Sequence, residues 1–209
     1  MSVVRRSELV RRIAAVPPPP HPRSELEQFP TPPELAADLV LAARADGLLE
    51  DAQVLDLGAG SGRLAIAAAL AGAARVDAVE IDPALVLLAR EAAAGLEVEV
   101  HHGSVIDWTR PADLVIMNPP FGAQRRHADR PFWTASFRLA REGISGFALS
   151  ASRGFVAARA REAGARVERL ERIPWPLERS MPYHRRARVI AEVDRWDLRP
   201  RRSERLAAA

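Results

Sequence analysis

From residue 52 onward, short apolar segments alternate with segments of helical character, and this alternation limits the fold more than any other feature. Strands that alternate with helices in this way form a parallel sheet with helices on both faces. The pattern predicts strands at 53–57, 75–81, 96–101, 113–117 and 144–149, and helices at 63–71, 83–94, 131–141 and 152–164. Two further strands, at 166–173 and 187–196, have a short connection and should pair antiparallel. We therefore expect an α/β fold with a seven-stranded, mostly parallel sheet that ends in an antiparallel hairpin.

The length and composition are those of one sizeable domain with short additions. The chain has 209 residues, of which 48% are hydrophobic. We divide it into an N-terminal helix with a proline-rich collar (1–24), a main domain (25–198) and a basic, disordered tail (199–209). A helix is expected from Glu8 to Val16, the prolines of 17–22 should be extended, and a second helix should run from Pro33 to Arg44.

Several classes of protein are excluded by what the sequence lacks. Cysteine is absent, which excludes disulfides and cysteine-ligated zinc, and the five histidines show no ligand spacing, so we expect no metal. No apolar run reaches the roughly 18 residues of a membrane span, and the N-terminus lacks a signal-peptide core. We therefore expect a soluble, cytoplasmic protein that has no membrane partner.

All 30 basic residues are arginines, against 27 acidic residues, and the formal net charge is +3. Guanidinium groups form bidentate bonds to phosphates, so the clusters at 125–126, 185–188 and 199–205 are candidates for contact with a nucleic acid. A lysine-free chain rich in alanine and arginine is equally typical of genome composition or thermal adaptation. Charge alone therefore does not decide between RNA, DNA and other substrates.

The apolar run 113–117 is followed directly by Asn118-Pro119-Pro120-Phe121. An exocyclic amine such as N6 of adenine is a poor nucleophile, because its lone pair is delocalised into the ring. The Asn118 side-chain carbonyl and the Pro119 backbone carbonyl can accept both N–H groups and localise that lone pair, while the prolines stiffen the loop. Phe121 offers a ring face to a base taken out of its stack. The tetrapeptide predicts methylation of an exocyclic amine, although Asn-Pro after a strand is also a common rigid turn.

A glycine loop, Asp56-Leu-Gly58-Ala-Gly60-Ser-Gly62, lies between a predicted strand and a predicted helix. Its spacing differs from the G-x-G-x-x-G pattern that binds a pyrophosphate, which favours a nucleoside without phosphates, namely S-adenosylmethionine. Asp56 should face the methionine end of this methyl donor through its amino group, directly or through water. Glu80 ends the next strand, at about the twenty-residue distance at which an acid binds ribose hydroxyls.

Three other segments supply further candidates at the same edge of the sheet. Ser104, after the third strand, is placed to contact the adenine edge of the donor. Gln28 and Thr31 lie in a proline-stiffened segment that can fold over the donor, with helix capping as the alternative. The loop 122–130 is either a substrate gate or a solvated loop, and it carries Arg125, Arg126 and His127.

Four motifs resemble the methyltransferase-like protein five family and its archaeal relatives, in the same order and at similar spacing. They are Leu26-Glu-Gln-Phe-Pro-Thr-Pro-Pro33, the glycine loop, Val115-Ile-Met-Asn-Pro-Pro-Phe-Gly122 and Pro182-Tyr-His-Arg-Arg186. The resemblance implies a Rossmann-like, class I S-adenosylmethionine-dependent methyltransferase that forms N6-methyladenosine in small-subunit rRNA. It also implies a small zinc-ribbon activator protein that binds along the edge of the sheet.

The resemblance also assigns roles to residues. Relatives usually carry aspartate at the position of Ser104, and some carry aspartate at that of Glu80. Donor contacts are implied or expected for Gln28, Thr31, Asp56, Gly58, Gly60, Ser61, Glu80, Ser104, Val105 and Asn118. The adenine should be held by the tetrapeptide 118–121. RNA contacts are expected for Phe121, Arg125, Arg126, His127, His184 and Arg185.

Other functions use similar motifs. A glutamine N5-methyltransferase that acts on a release factor also carries Asn-Pro-Pro-aromatic, but typically with tyrosine and an added N-terminal helical domain. Methylation of DNA on adenine or on guanine N2 is disfavoured by the lack of a target-recognition domain. A noncatalytic RNA-binding module for ribosome assembly would have no reason to keep Asn118.

Overall fold

The computed structural model describes residues 4–122, 124–177 and 189–201. Its centre is a seven-stranded sheet with the order β3-β2-β1-β4-β5-β7-β6. The strands are β1 (Gln53–Leu57), β2 (Arg75–Glu80), β3 (Val98–His102), β4 (Ala112–Met117), β5 (Ala140–Leu149), β6 (Arg166–Leu177) and β7 (Val189–Arg199). The first five are parallel, and β7 is antiparallel to both of its neighbours. The predicted fold class is confirmed.

In the described part of the chain, six α-helices accompany the sheet: α1 (Arg6–Ala14), α2 (Pro33–Ala45), α3 (Arg63–Leu70), α4 (Pro83–Ala92), α5 (Arg130–Leu139) and α6 (Arg153–Glu162). Proline stands in the first turn of α2, α4 and α5, where its missing N–H costs nothing. Asp82 caps α4, since its side chain accepts a bond from Ala84 N at 2.9 Å. Within the described ranges, no helix has the length and apolar character needed to span a membrane.

Side chains alternate between two cores, one on each face of the sheet. Along β4, Leu114 and Ile116 join the core that contains α1 to α4, whereas Val115 and Met117 join the core that contains α5 and α6. All four are fully buried. Because successive strand residues point to opposite faces, a continuous apolar run is what a strand covered on both faces requires.

Helix α1 packs into the first of these cores. Leu9 and Ile13 are fully buried, and the Arg6 guanidinium makes two hydrogen bonds to the Asp38 carboxylate of α2, at 2.6 and 2.9 Å. Arg199, placed by the sequence in the tail, is the last residue of β7, and its Nη2 donates to Asp46 O at 2.6 Å. The division of the chain into 1–24, 25–198 and 199–209 stays a prediction.

The largest differences from the predicted boundaries lie at the junction of α5 with β5 and at the end of β6. The helix expected at 131–141 ends at Leu139, and β5 begins at Ala140 instead of 144. The added residues pair with β4, through Ala112 with Ala140 and, after a register shift, Leu114 with Gly143. Likewise β6 continues to Leu177 because it pairs with β7 along its whole length. Ladder hydrogen bonds, which local sequence does not reveal, extend both strands.

Candidate active site

A cavity of about 350 Å³ opens at the carboxyl ends of the parallel strands. Four strand ends contribute to its wall: the glycine turn after β1, Glu80 and Ile81 at the end of β2, residues 103–106 after β3, and Asn118 with Pro120 after β4. The segment 25–31 and the loop 125–128 complete the wall. This is the edge at which ligands of such sheets bind.

The turn after β1 requires its glycines. Gly58, Gly60 and Gly62 have φ values of +74°, +57° and +89°, a region that favours glycine. A Cβ atom on Gly58 would lie 2.6 Å from Cε1 of Phe132, whereas one on Gly60 would meet open space. Phe132 also lines the cavity, and sequence reasoning missed it. Ser61, predicted as a donor contact, is 4% exposed and lies on the cavity wall beside these glycines.

Asp56 lies beneath this turn and does not form part of the cavity wall, so its contact with the donor, directly or through water, stays a prediction. The side chain is fully buried, and Oδ2 accepts a bond at 3.0 Å from Ala65 N in the first turn of α3. A carboxylate at a helix N-terminus satisfies an otherwise unpaired N–H group, which explains this position. Burial is the main reason that the pKa of Asp56 is raised to about 7. The hydrogen bond from Ala65 lowers this pKa, whereas the negative charge of Glu80 raises it.

Glu80 lies on the cavity wall and is held from both sides. Its Oε2 accepts from Gly60 N at 2.8 Å, and its Oε1 accepts from Asp82 N at 2.9 Å. Burial raises the pKa of Glu80, although the hydrogen bonds from Asp82 and Gly60 lower it. Each oxygen keeps a further lone pair for a ligand.

Apolar side chains surround the third strand end. Ser104 and Val105 both line the cavity, and the Ser104 Oγ accepts from Ile106 N at 3.2 Å. Ile81 and Ile106 line it too and are 55% and 63% exposed. Exposed isoleucines beside a cavity provide apolar surface for a flat group such as a nucleobase. No periodic pattern in the sequence marks these two positions.

Asn118 has a fixed amide orientation. Its Nδ2 donates to Phe29 O at 3.2 Å and to Thr31 Oγ1 at 3.1 Å. A backbone carbonyl only accepts hydrogen bonds, so the amide nitrogen has to face Phe29 and the oxygen has to face away. The Asn118 Oδ1 is buried and has no hydrogen-bond partner. An unpaired buried acceptor costs about 1–3 kcal/mol, which a ligand N–H would recover.

The rest of the tetrapeptide lies behind Asn118 and Pro120. Pro119 is buried, and Phe121 is 8% exposed with its ring edge-on to Trp175 of β6, at 5.4 Å between centroids and 84° between planes. This differs from the open ring face expected for Phe121. The ring packs against an aromatic residue from a distant strand, a favourable contact that the local sequence does not show.

Gln28 and Thr31 belong to a five-residue stretch, 27–31, which we call the bridging segment. Both line the cavity, as expected for donor contacts, but their side chains also bond to the protein. Gln28 Nε2 donates to Asp82 Oδ2 at 2.8 Å, and Gln28 Oε1 accepts from Arg23 N at 2.7 Å. Burial alone would raise the pKa of Asp82, but the hydrogen bonds from Gln28 and Ala84 lower it.

Glu27 opens the bridging segment and was not singled out from the sequence. It is 6% exposed and has a φ of +47°. Its Oε2 accepts from Gly122 N at 2.8 Å, and its Oε1 accepts from Gln124 N at 2.7 Å and from Arg125 N at 3.4 Å. Nothing in the sequence around Glu27 indicates that its side chain bonds to a loop so far along the chain.

The loop after the tetrapeptide brings positive charge to the cavity. Arg125 and Arg126 are exposed and line the wall together with His127. Desolvation, followed by the charges of Arg130 and Arg126, lowers the pKa of His127. Two other predicted RNA contacts, His184 and Arg185, lie outside the described residues.

A group of possible metal ligands, Asp77, Glu99 and His101, lies on neighbouring strands β2 and β3. The sequence spacing did not reveal it because the residues come from two strands. Arginines already pair with its acids: Arg110 Nη2 lies 3.1 Å from Asp77 Oδ1, and Arg75 bonds to Glu99. These guanidinium groups already provide the two carboxylates with positive charge.

Comparison with known proteins agrees with this geometry. The methyltransferase small domain family matches residues 36–145. The rRNA N(6)-adenosine-methyltransferase Mettl5 of Drosophila melanogaster is 31% identical over 187 residues, which cover 84% of this chain and 87% of that protein. The Danio rerio protein of the same name is 26% identical, with 83% and 88% covered. The crystal structure of a proposed RNA methyltransferase of Pyrococcus horikoshii has a TM-score of 0.86 and 31% identity, with 95% of this chain and 99% of that chain covered.

The resemblance identified from the four motifs is thereby confirmed. The chain belongs to the methyltransferase small domain family and, within it, to the family of the Mettl5 rRNA N(6)-adenosine-methyltransferases.

Proposed function

We propose that this chain transfers a methyl group from S-adenosylmethionine to N6 of an adenosine in small-subunit rRNA. The observation that carries the proposal is the buried, unpartnered Oδ1 of Asn118 on the wall of the cavity. A buried acceptor with a preset direction suits a ligand that brings an N–H group. The names of the relatives, rRNA N(6)-adenosine-methyltransferases, support adenosine in rRNA as the source of that group.

The donor side of the cavity fits S-adenosylmethionine. When bound, this molecule supplies a methyl group on a positively charged sulfur. The Glu80 carboxylate is placed to accept ribose hydroxyls, and Ile81 and Ile106 provide an apolar slot for the adenine. The buried Oδ1 of Asp56 has no hydrogen-bond partner, and we propose that it binds the amino group of the donor, directly or through water. Ser104 and Val105 complete the proposed base contacts.

The acceptor side is built to hold an amine. Asn118 Oδ1 accepts one N–H of the target adenine, and the Pro119 carbonyl is proposed as the second acceptor. Because Phe29 and Thr31 already hold the Asn118 amide, the acceptor does not have to reorient when the base arrives. No general base is needed, since a methylated, cationic nitrogen loses its proton readily to water. Phe121 supports the loop from behind through Trp175.

The RNA backbone is proposed to contact Arg125 and Arg126, whose guanidinium groups are exposed at the cavity. Contacts from His184 and Arg185 stay predictions. The cytoplasmic location expected from the sequence is consistent with an rRNA substrate and also stays a prediction.

The zinc-ribbon activator implied by the resemblance is likewise a prediction. Strand β3 is the outer edge of the sheet on the donor side. Arg90 of α4 donates to Val100 O of that strand from Nε and Nη2, at 3.1 and 2.8 Å. A partner that added a strand there would have to displace Arg90. Assays are therefore best run both with and without a candidate partner.

The experiment compares wild type with Asn118→Ala. We expect methyl transfer to fall by about 100-fold or more, because a preorganised acceptor is lost. Donor and RNA affinities, measured by equilibrium binding, should stay within about threefold of wild type, since neither depends mainly on this contact.

Two outcomes would contradict the proposal. Methyl transfer by Asn118→Ala at the wild-type rate would show that this acceptor plays no part in the reaction. A wild-type protein that binds donor and rRNA tightly but transfers no methyl group, with or without a partner, would favour the noncatalytic RNA-binding module.

A further inference from the structure

We propose that Glu27 is a positioning residue that fixes the loop 122–130 against the catalytic tetrapeptide. The expected effect of Glu27 on the kinetics rests on the proposed function, whereas the attachment of the loop to Glu27 does not. Glu27 lines the cavity but acts through the backbone of the loop that follows Phe121.

Three backbone N–H groups converge on this one carboxylate. They belong to Gly122, Gln124 and Arg125, at 2.8, 2.7 and 3.4 Å. Hydrogen bonds to a carboxylate are about twice as strong as those between neutral groups. With Glu27 only 6% exposed, water cannot easily replace the carboxylate. The start of the loop is therefore tied to the bridging segment.

The backbone of Glu27 is bent to make this contact. Its φ of +47° lies in the left-handed region, which residues other than glycine, asparagine and aspartate rarely adopt. Phe29 N donates to Glu27 O at 2.7 Å, which closes a tight turn. Such strain persists where the surrounding contacts determine the conformation. The bend sends the carboxylate to the loop while the chain continues toward Asn118.

The other residues of the bridging segment connect the remaining walls. Gln28 bonds to Asp82 on the donor side, and Phe29 and Thr31 bond to Asn118. Glu27 provides the connection to the acceptor loop, where Arg125 begins the proposed phosphate contacts. Loss of the carboxylate should therefore disturb RNA binding and the rate of transfer while it spares the donor contacts.

The test uses Glu27→Gln, which keeps the shape of the side chain. Its NH₂ group would face at least one of the three N–H donors, so the attachment of the loop is weakened. Hydrogen exchange of peptides that cover 122–130 should become about 10 to 100 times faster. KM for rRNA should rise and kcat/KM should fall about tenfold or more, while the donor Kd changes by less than about threefold.

Two further variants control for charge and for backbone strain. Glu34→Gln removes the same charge from an exposed position in the first turn of α2 and should behave as wild type. Glu27→Gly relieves the positive φ but has no carboxylate, so its loop should exchange as fast as that of Glu27→Gln.

Unchanged exchange of the loop in both Glu27 variants would overturn the inference. So would fast exchange throughout the cores, since it would assign Glu27 a general role in stability. Fast exchange confined to the loop, in a protein whose wild type transfers no methyl group, would support the positioning role and reject the proposed function.

Discussion

Asn118 shows how a distant segment of the chain can set the direction of a single side chain. The tetrapeptide was recognisable in the sequence, and its place at the end of β4 followed from the apolar run before it. The orientation of the amide was not predictable, because its partners Phe29 and Thr31 lie almost ninety residues away. The sequence predicted the Asn118 carbonyl as the acceptor, but only the folded chain shows which groups hold the amide in that orientation.

Thr31 should therefore influence the reaction through Asn118. Thr31→Val keeps a similar shape but cannot accept the Nδ2 hydrogen bond, so the amide is held by Phe29 O alone. We expect kcat to fall by about tenfold, the effect of losing one hydrogen bond in the positioning of a reacting group. Single-turnover methyl transfer measures this rate directly.

Thr31→Ser is the matched control, since its hydroxyl can still accept. It should retain most of the wild-type rate. Equal rates in Thr31→Val and wild type would show that Phe29 is sufficient to hold the amide.

Asp56 should make stability depend on pH. Burial raises its pKa to about 7, above the ordinary 3.8, so the folded protein holds this proton more tightly than the unfolded chain. The stability that this proton provides is fully present below about pH 4 and is lost as the pH rises through about 7. Asp56→Asn does not titrate. When the pH rises from about 5 to about 8, the free energy of unfolding of wild type should therefore fall by about 2 kcal/mol or more relative to that of Asp56→Asn.

Urea unfolding of both proteins at the two pH values measures this difference. Identical pH dependence in the variant and in wild type would mean that Asp56 is ionised in the fold. The sequence placed Asp56 near the donor, but its role as a partner of Ala65 depends on how α3 packs over β1.

At the residue scale, the glycines, Glu80, Ser104 and Asn118 were predictable as neighbours in space. Each follows a parallel strand, and such strands end at one edge of the sheet. Glu27, Phe132 and the two exposed isoleucines were not predictable, since their positions depend on tertiary contacts.

At the scale of elements, the turn between β1 and α3 is constrained by a helix that comes much later in the chain. Gly58 and Gly60 both need a positive φ, but only Gly58 lies under Phe132 of α5. Gly58→Ala should therefore destabilise the fold by about 2–4 kcal/mol, from backbone strain together with overpacking. Gly60→Ala should lose only about 1 kcal/mol, from the strain alone.

Chemical denaturation of the two variants tests this difference. Equal losses of stability would show that Phe132 moves aside at little cost, and that α5 does not constrain the turn.

The elements themselves were predictable to different degrees. The short apolar strands β1, β2 and β4 lie close to their predicted positions because burial on both faces requires a continuous apolar run. The junction of α5 and β5 was misplaced by several residues, because Ala140–Gly143 becomes a strand only through pairing with β4.

At the scale of the whole molecule, the sheet brings four strand ends together and the bridging segment joins them. The groups proposed to bind the donor, to act in catalysis and to hold the acceptor then share one cavity of about 350 Å³. Helix α1 and the hairpin of β6 and β7 add packing at either end of the chain, and Trp175 of β6 supports the tetrapeptide through Phe121.

The central claim is that the product is N6-methyladenosine in rRNA. The most direct measurement is transfer of a labelled methyl group from S-adenosylmethionine to small-subunit rRNA, to DNA and to a protein release factor. Mass spectrometry of the products then identifies the modified group. We predict N6-methyladenosine in the rRNA, and its loss with Asn118→Ala. Label on protein glutamine or on DNA, with none on rRNA, would contradict the account.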